Sequence, residues 1–430
     1  MTIKRMLACA SGAALVFCGD AAAAEFLFTP TASAQLYYDS NVYRFSEAVA
    51  RAIGTPIRAD RVQRYTAGAD SSYEWLHQKL RAGGEQRRFR YRNQDELDHD
   101  ETLVEAAYDG ALYDYLTPQL EYREERRLAS FEDRRTAQPV MEHDQSGRAA
   151  LGIALTPLWH VATNVRGRNL RSPLPAAVAL PPPGPAARAP SPRFGLHEAL
   201  YSAAVLYGVD SKQHPEAEAP LLAGVMVEYQ TVSFSGVTPP GPPPPGRRVE
   251  TFAGYRLLTF EGTAQYAVSG LSIFDGKLGV TKYNPKRTQA ADEVPEITGE
   301  IGYRRGFTAV TELNGHLFRR IVAHANTAAA ATDTGFSIGA NWEPLPALIV
   351  LADYAWALSE FQGDGGSSEN SGRRDRTQTA SLSVSKPLSR SFGMRLFGGY
   401  SKRSSNLAFN SYGDKSLGVE FTFRWRGNER

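Results

Sequence analysis

Apolar and polar residues alternate along most of this chain with a period of two, the pattern of strands that keep one face dry and the other wet. Tyr65, Ala67, Ala69, Ser71, Tyr73 and Trp75 share a face opposite Arg64, Asp70 and Glu74. Ala149, Leu151, Ile153 and Leu155 repeat the pattern, as do Tyr201, Ala203, Val205 and Tyr207. The final run sets Leu417, Val419, Phe421, Phe423 and Trp425 against Glu420, Thr422 and Arg424. Aromatics cluster near the ends of these faces, as they do at the two interfaces of a membrane.

Connections between the runs alternate in length. Eight are short, at 76–78, 115–118, 156–157, 209–216, 268–271, 306–308, 343–346 and 387–391. Nine are long and polar or rich in Gly and Pro, near 42–61, 93–100, 130–145, 172–193, 235–247, 285–294, 322–333, 361–375 and 402–414. A soluble sandwich has no reason to sort loops in this way. An outer-membrane barrel has one, because its short turns and termini lie in the periplasm and its long loops outside. The expected fold is therefore all-β, a transmembrane antiparallel up-and-down barrel of about 18 strands. Charge falls on both faces of 81–92 and 121–127; Gly83-Gly84 would reverse the alternation as a bulge, or these strands project beyond the bilayer and sixteen strands span it.

Composition fits the same picture. Lys4 and Arg5 precede an apolar stretch from Met6 to Phe17, and Ala21 to Ala24 offer an A-x-A cleavage site, so residues 1–24 read as a signal peptide and 25–430 as the barrel. Lipidation at Cys18 is disfavoured by the bulky Phe17 before it. Cys9 and Cys18 depart with the peptide, which leaves no disulfide framework and no cysteine metal site. No later segment is long and apolar enough for a spanning helix. Charged residues make up 22% of the chain and mean hydropathy is −0.36, which suits a barrel whose strands are apolar only at alternate positions. A formal charge of +2 without a basic tail does not call for nucleic acid. The loops at 173–193 and 235–247 are proline-rich and expected to be extended and solvated.

A barrel of 18 strands is wide enough for a water-filled lumen, so candidate functional residues are the charges on its inward face: Arg64, Asp70, Glu74, Arg148, Arg166, Arg168, Arg256, Arg304, Arg320 and Arg395. As a set they suit a pore lining for anionic or sugar-rich solutes; singly, each is explained as well by cross-strand pairing that braces a hydrated wall. The dense Asp98-His99-Asp100 and His143-Asp144 segments lack a nucleophile motif, the acidic spacing at 95–101 is not that of an EF-hand, and no phosphate-binding loop is present. Neither catalysis, cofactor nor metal is expected.

The segment Tyr37-Tyr38-Asp39-Ser40-Asn41-Val42-Tyr43-Arg44, together with Tyr73-Glu74-Trp75, Trp342-Glu343-Pro344 and Tyr400-Ser401-Lys402-Arg403-Ser404-Ser405-Asn406 followed by Tyr412, resembles the EpsL-type outer-membrane barrels of exosortase-associated exopolysaccharide clusters. The resemblance implies a place in the Gram-negative outer membrane and a role in biosynthesis or export of an exopolysaccharide. It implies as partners the polymer or its oligosaccharides, outer-membrane lipid and lipopolysaccharide, periplasmic and inner-membrane export proteins, and the barrel assembly machinery. The alternatives are a non-conducting structural or adhesive barrel and a general porin. At the motif positions, Asp39 and Asn41 suit a turn in the first loop, and Trp342 and Tyr400 the membrane interface.

Overall fold

The structure is a computed structural model that describes residues 25–54, 58–113, 115–132, 138–173, 193–209, 220–235, 254–269, 271–285, 294–324, 329–361 and 372–425. The expected signal peptide and most of both proline-rich loops lie outside these residues. Eighteen strands follow one another: β1 (Glu25–Asp39), β2 (Asp60–Trp75), β3 (Gln78–Tyr91), β4 (His99–Gly110), β5 (Leu116–Leu128) and β6 (Met141–Ala154). Then come β7 (Trp159–Pro173), β8 (Arg193–Gly208), β9 (Leu221–Ser235), β10 (Gly254–Ser269), β11 (Ser272–Pro285) and β12 (Val294–Thr308). The last six are β13 (Thr311–His324), β14 (Ala329–Leu345), β15 (Leu348–Phe361), β16 (Arg374–Pro387), β17 (Phe392–Ser405) and β18 (Tyr412–Arg424). Every strand pairs antiparallel with its sequence neighbours, and β1 pairs with both β2 and β18, so the sheet closes on itself without an edge.

Residues opposite one another on paired strands share a face, which lets the register sort every side chain. The outward face keeps large apolar groups exposed, among them Phe260 at 53%, Leu317 at 56% and Leu417 at 69%. That surface is intolerable in water and natural in hydrocarbon. Trp342 is 49% exposed beside the β14–β15 turn and Tyr400 is 36% exposed near the loop end of β17, so both mark the rims of the apolar belt. The inward face is hydrophilic; on β10, β11 and β12 the hydroxyls of Thr259, Thr281 and Thr298 form a chain with 2.9 and 2.7 Å links.

Three expectations change. The sixteen-strand alternative falls, because β3 and β5 are full staves paired on both sides. Gly83 and Gly84 make no bulge; they sit in unbroken register opposite Asp70 and Ala69. The charge on both faces has another cause: outward Arg88, Arg90, Glu124 and Arg126 occupy the loop ends of β3 and β5, above the apolar belt. The stretch 322–333 contains much less loop than expected, since β13 and β14 run through most of it and pair up to His324 and Ala329.

The long-loop end is filled from two sides. The first loop carries the short helix α1 (Glu47–Ile53), capped by Ser46, whose hydroxyl accepts from the Val49 amide, and ended by Gly54 at φ 69°. Tyr43, Phe45 and Val49 from this loop bury with Leu97 and Phe131 from the second and third loops. On the other side, the β12–β13 ladder ends at Gly299 and Arg319 although both strands continue. Beyond that seam the β13–β14 hairpin leans into the barrel, where Ile321 and Ala330 pack against Leu170, Leu196, Val232, Tyr255, Leu257 and Tyr283 of the inner wall. Thr332 donates to Glu296 on the same wall at 2.9 Å.

Candidate functional site: the lumen

Below these two apolar plugs, on the short-turn side, the inner wall encloses a cavity of about 920 Å³ against β1–β9. Five basic side chains (Lys79, Arg81, Arg123, Arg148, Arg166) and four acidic ones (Asp70, Glu105, Glu121, Glu228) line it, so it is strongly polar with little net charge. Most of the basic groups are committed to neighbours. Arg81 contacts Asp109 at 2.5 Å, Arg148 contacts Glu121 at 3.2 Å and Asn164 at 2.9 Å, and Arg123 pairs with Glu105. Arg166 makes no ion pair among the described residues and stands as the cavity's unneutralised cation.

The other inward candidates are dispersed around the wall. Arg64 and Arg395 converge on Glu420, at 3.4 and 2.9 Å. Arg168 grips Asp144 through two nitrogens at 3.0 and 2.6 Å. Glu74 pairs with Lys79, and Arg320 lies 3.8 Å from Glu300 while its guanidinium covers the Phe318 ring. Asp70 faces the cavity opposite Thr29 and Gly83. Arg304 lies opposite Asn314 on the inward face and has no ion pair among the described residues.

Arg256 is a correction. It sits on the outward face with Leu258 and Phe260, opposite Thr231 and Asn284. Its neighbours Tyr255 and Leu257 are 0% and 5% exposed because they belong to the mouth cluster. At this end of β10 large apolar residues face inward as well as outward, so apolar alternation does not reveal that the arginine between Tyr255 and Leu257 is turned out.

Sequence reasoning missed Arg81, Arg123 and Glu121 as cavity residues. The signal that places them is the parity of Leu80 and Ala82 with Tyr73 and Ser71, and of Leu120 with Ala149, carried across the register rather than read along one strand.

Two further groups control the mouth. Asn41, 2% exposed, donates to the carbonyls of Phe45 and Gly413 at 2.9 and 3.0 Å and accepts from the Phe45 amide at 3.1 Å. Arg44 beside it bridges Asp39 and Asp414, each at 3.1 Å, and so ties the first loop to β18. The motif residues Asp39, Asn41 and Arg44 thus build a loop anchor, and Asp39 accepts from the Asn41 amide at 2.8 Å in a turn. Phe131 and Glu132 of the third loop reach the same region: Phe131 meets Tyr43 with ring centroids 5.1 Å apart, and Glu132 accepts from Tyr412 at 2.7 Å.

No protein-family model matches the sequence, and no curated protein matches it. Solved structures with a similar course include a ferric enterobactin receptor variant of Pseudomonas aeruginosa, 8% identical over 92% of this chain and 80% of that one, TM-score 0.45. The siderophore receptor PirA of Acinetobacter baumannii is 7% identical over 92% and 80%, TM-score 0.46. The outer membrane protein OpdK of Pseudomonas aeruginosa is 11% identical over 93% of this chain and 99% of that one, TM-score 0.45. The closed 18-strand ladder, with its exposed apolar belt, is the fold of an outer-membrane β-barrel.

Proposed function

We propose that this protein is an outer-membrane channel that accepts a polar, hydroxyl-rich chain from the periplasmic side, as a component of exopolysaccharide export working with periplasmic and inner-membrane export proteins. The observation that carries this reading is the cavity of about 920 Å³ behind a packed mouth, with planar guanidiniums and Asn164 on its wall. Guanidinium and amide groups satisfy sugar hydroxyls, and Arg166 supplies one cation for acidic substituents. The resemblance of the Tyr37–Arg44 segment to EpsL-type barrels supports the assignment to polysaccharide.

The test is conductance of the purified barrel in planar bilayers, with acidic and neutral oligosaccharides added on each side in turn. Block by oligosaccharide from the short-turn side, weakened by Arg166→Ala, is the expected result. A barrel that never conducts, or whose conductance no oligosaccharide alters, removes the reading. In cells lacking the gene, polymer retained in the periplasm marks export, whereas absence of polymer marks synthesis.

A second reading, a porin for small solutes, draws on the third loop. Its Glu132 reaches Tyr412 at the mouth, a constriction of the kind that sieves solutes by size. Permeation that falls with solute size and is indifferent to sugar chemistry selects it.

A further inference from the structure

The outward face carries a cationic row at the loop rim of the apolar belt, concentrated on five consecutive staves, β16, β17, β18, β1 and β2. The register puts Arg376 beside Leu358, Lys415 beside Tyr400 and Arg61 beside Tyr38, with Lys402 next above Tyr400 on the same strand. All four cations are exposed, and none has an acidic partner among the described residues. Among the other outward rim arginines, Arg88 lies 3.8 Å from Asp100 and Arg374 lies 3.1 Å from Glu360, while Arg126 on β5 and Arg256 on β10 stand singly, far from one another around the rim. Beneath the unneutralised row, past Gln63 and Gln378, the wall is predominantly apolar, with Leu36 at 48%, Leu396 at 49% and Leu417 at 69% exposed.

Five staves span four interstrand gaps, about 19 Å. Four unpaired cations across that width, above a hydrocarbon-compatible wall, are complementary to one kind of occupant. We infer that this face docks a multiply phosphorylated, multiply acylated sugar lipid of the outer leaflet, with its phosphates on Arg61, Arg376, Lys402 and Lys415 and its acyl chains along Leu36, Leu396 and Leu417. Each cation at a membrane surface contributes to holding an anionic headgroup, and a solvated protein would gain nothing from leaving four cations unpaired beside a greasy belt. The inference rests on the placement in the outer membrane and is independent of what crosses the lumen.

The experiment titrates bisphosphorylated lipid A into the purified full chain in detergent micelles and follows bound lipid by native mass spectrometry. Saturable binding is expected, weakened about tenfold or more in the quadruple Arg61→Gln, Arg376→Gln, Lys402→Gln, Lys415→Gln variant. A charge-retaining Arg61→Lys, Arg376→Lys variant is expected to keep binding, which separates charge from any fault in assembly; heat-modifiable gel mobility reports the fold of each. Binding of equal strength in the quadruple variant, equal binding of phosphatidylcholine, or full displacement by millimolar inorganic phosphate would each overturn the docking surface. A barrel that conducts in bilayers while failing this titration loses the lipid site alone and keeps the channel reading.

Discussion

Arg395 lies directly opposite Glu420 across the β17–β18 ladder and donates to it at 2.9 Å, while Arg64 reaches the same carboxylate from β2 at 3.4 Å. One anion thus neutralises two cations on the inner wall. Glu420→Gln leaves two guanidiniums facing the lumen. Because Arg395 is 41% exposed, water screens the loss, and destabilisation of about 1 kcal/mol is expected, read as a small drop in the urea midpoint. Selectivity responds more than stability: the reversal potential in a salt gradient moves toward anion preference. An unchanged reversal potential would show that current does not pass this wall.

Removal of the first-loop anchor at Asn41 tests whether the hydrogen bonding of that turn is local. Asn41→Ala strands the Phe45 amide and the Phe45 and Gly413 carbonyls, at a cost of about 1–3 kcal/mol. The expected outcome is faster proteolysis and amide exchange across 40–54 with the barrel ladder still protected. Loss of protection in β18 as well would mean that the anchor holds the barrel seam and not only the loop.

The closing strand was legible because Leu417, Val419, Phe421 and Phe423 obey a strict period of two, set by lipid on one side and water on the other. The same rule misplaced Arg256, since Tyr255 and Leu257 face inward to fill the mouth. It also missed the inward lean of β13–β14, which depends on Ile321 and Ala330 meeting residues of five other strands. Long-range packing of that sort leaves no local periodicity. The cavity wall was half readable: Arg148 and Arg166 lie on cleanly alternating strands, whereas Arg81 and Arg123 lie on strands charged on both faces, where only the pairing register decides.

The closure of the first loop onto the second is expected to be insensitive to pH across the neutral range. Tyr43 donates to Glu96 at 2.8 Å. That hydrogen bond, with Arg58 nearby, holds the Glu96 carboxyl below its ordinary value of 4.5, and burial followed by the same bond pushes the Tyr43 phenol above its ordinary 10.0. A depressed carboxyl stabilises above its unfolded value and loses that contribution as pH falls through the folded one; a raised phenol stabilises below 10.0 and loses it as pH climbs beyond. The Tyr43–Glu96 contact therefore adds no pH dependence to the conductance between the ordinary carboxyl and phenol values, and conductance rises on its account only as pH falls below the ordinary carboxyl value of 4.5. Glu96→Gln abolishes the acid limb. An acid limb that persists in that variant would assign the transition to another group.

The β13–β14 hairpin is held to the rest of the mouth by side chains and not by a ladder, because its pairing with β12 stops at Gly299 and Arg319; beyond that point Ile321 and Ala330 pack on the inner wall of β7–β11 and Thr332 donates to Glu296. Ile321→Ala removes methyl groups from a cluster that includes Tyr255, Leu257 and Tyr283, costing the closed position about 2 kcal/mol. Open-channel events become more frequent, and the barrel itself is untouched, since β13 remains paired with β14 throughout. Leu317→Ala, on the outward face of the same strand, serves as the control and leaves gating unchanged. A Cys pair within the cluster, Ile321→Cys with Tyr283→Cys, gives the decisive measurement: oxidation shuts the conductance and reductant restores it. Current that ignores the redox state of this pair would mean that the hairpin does not close the pore.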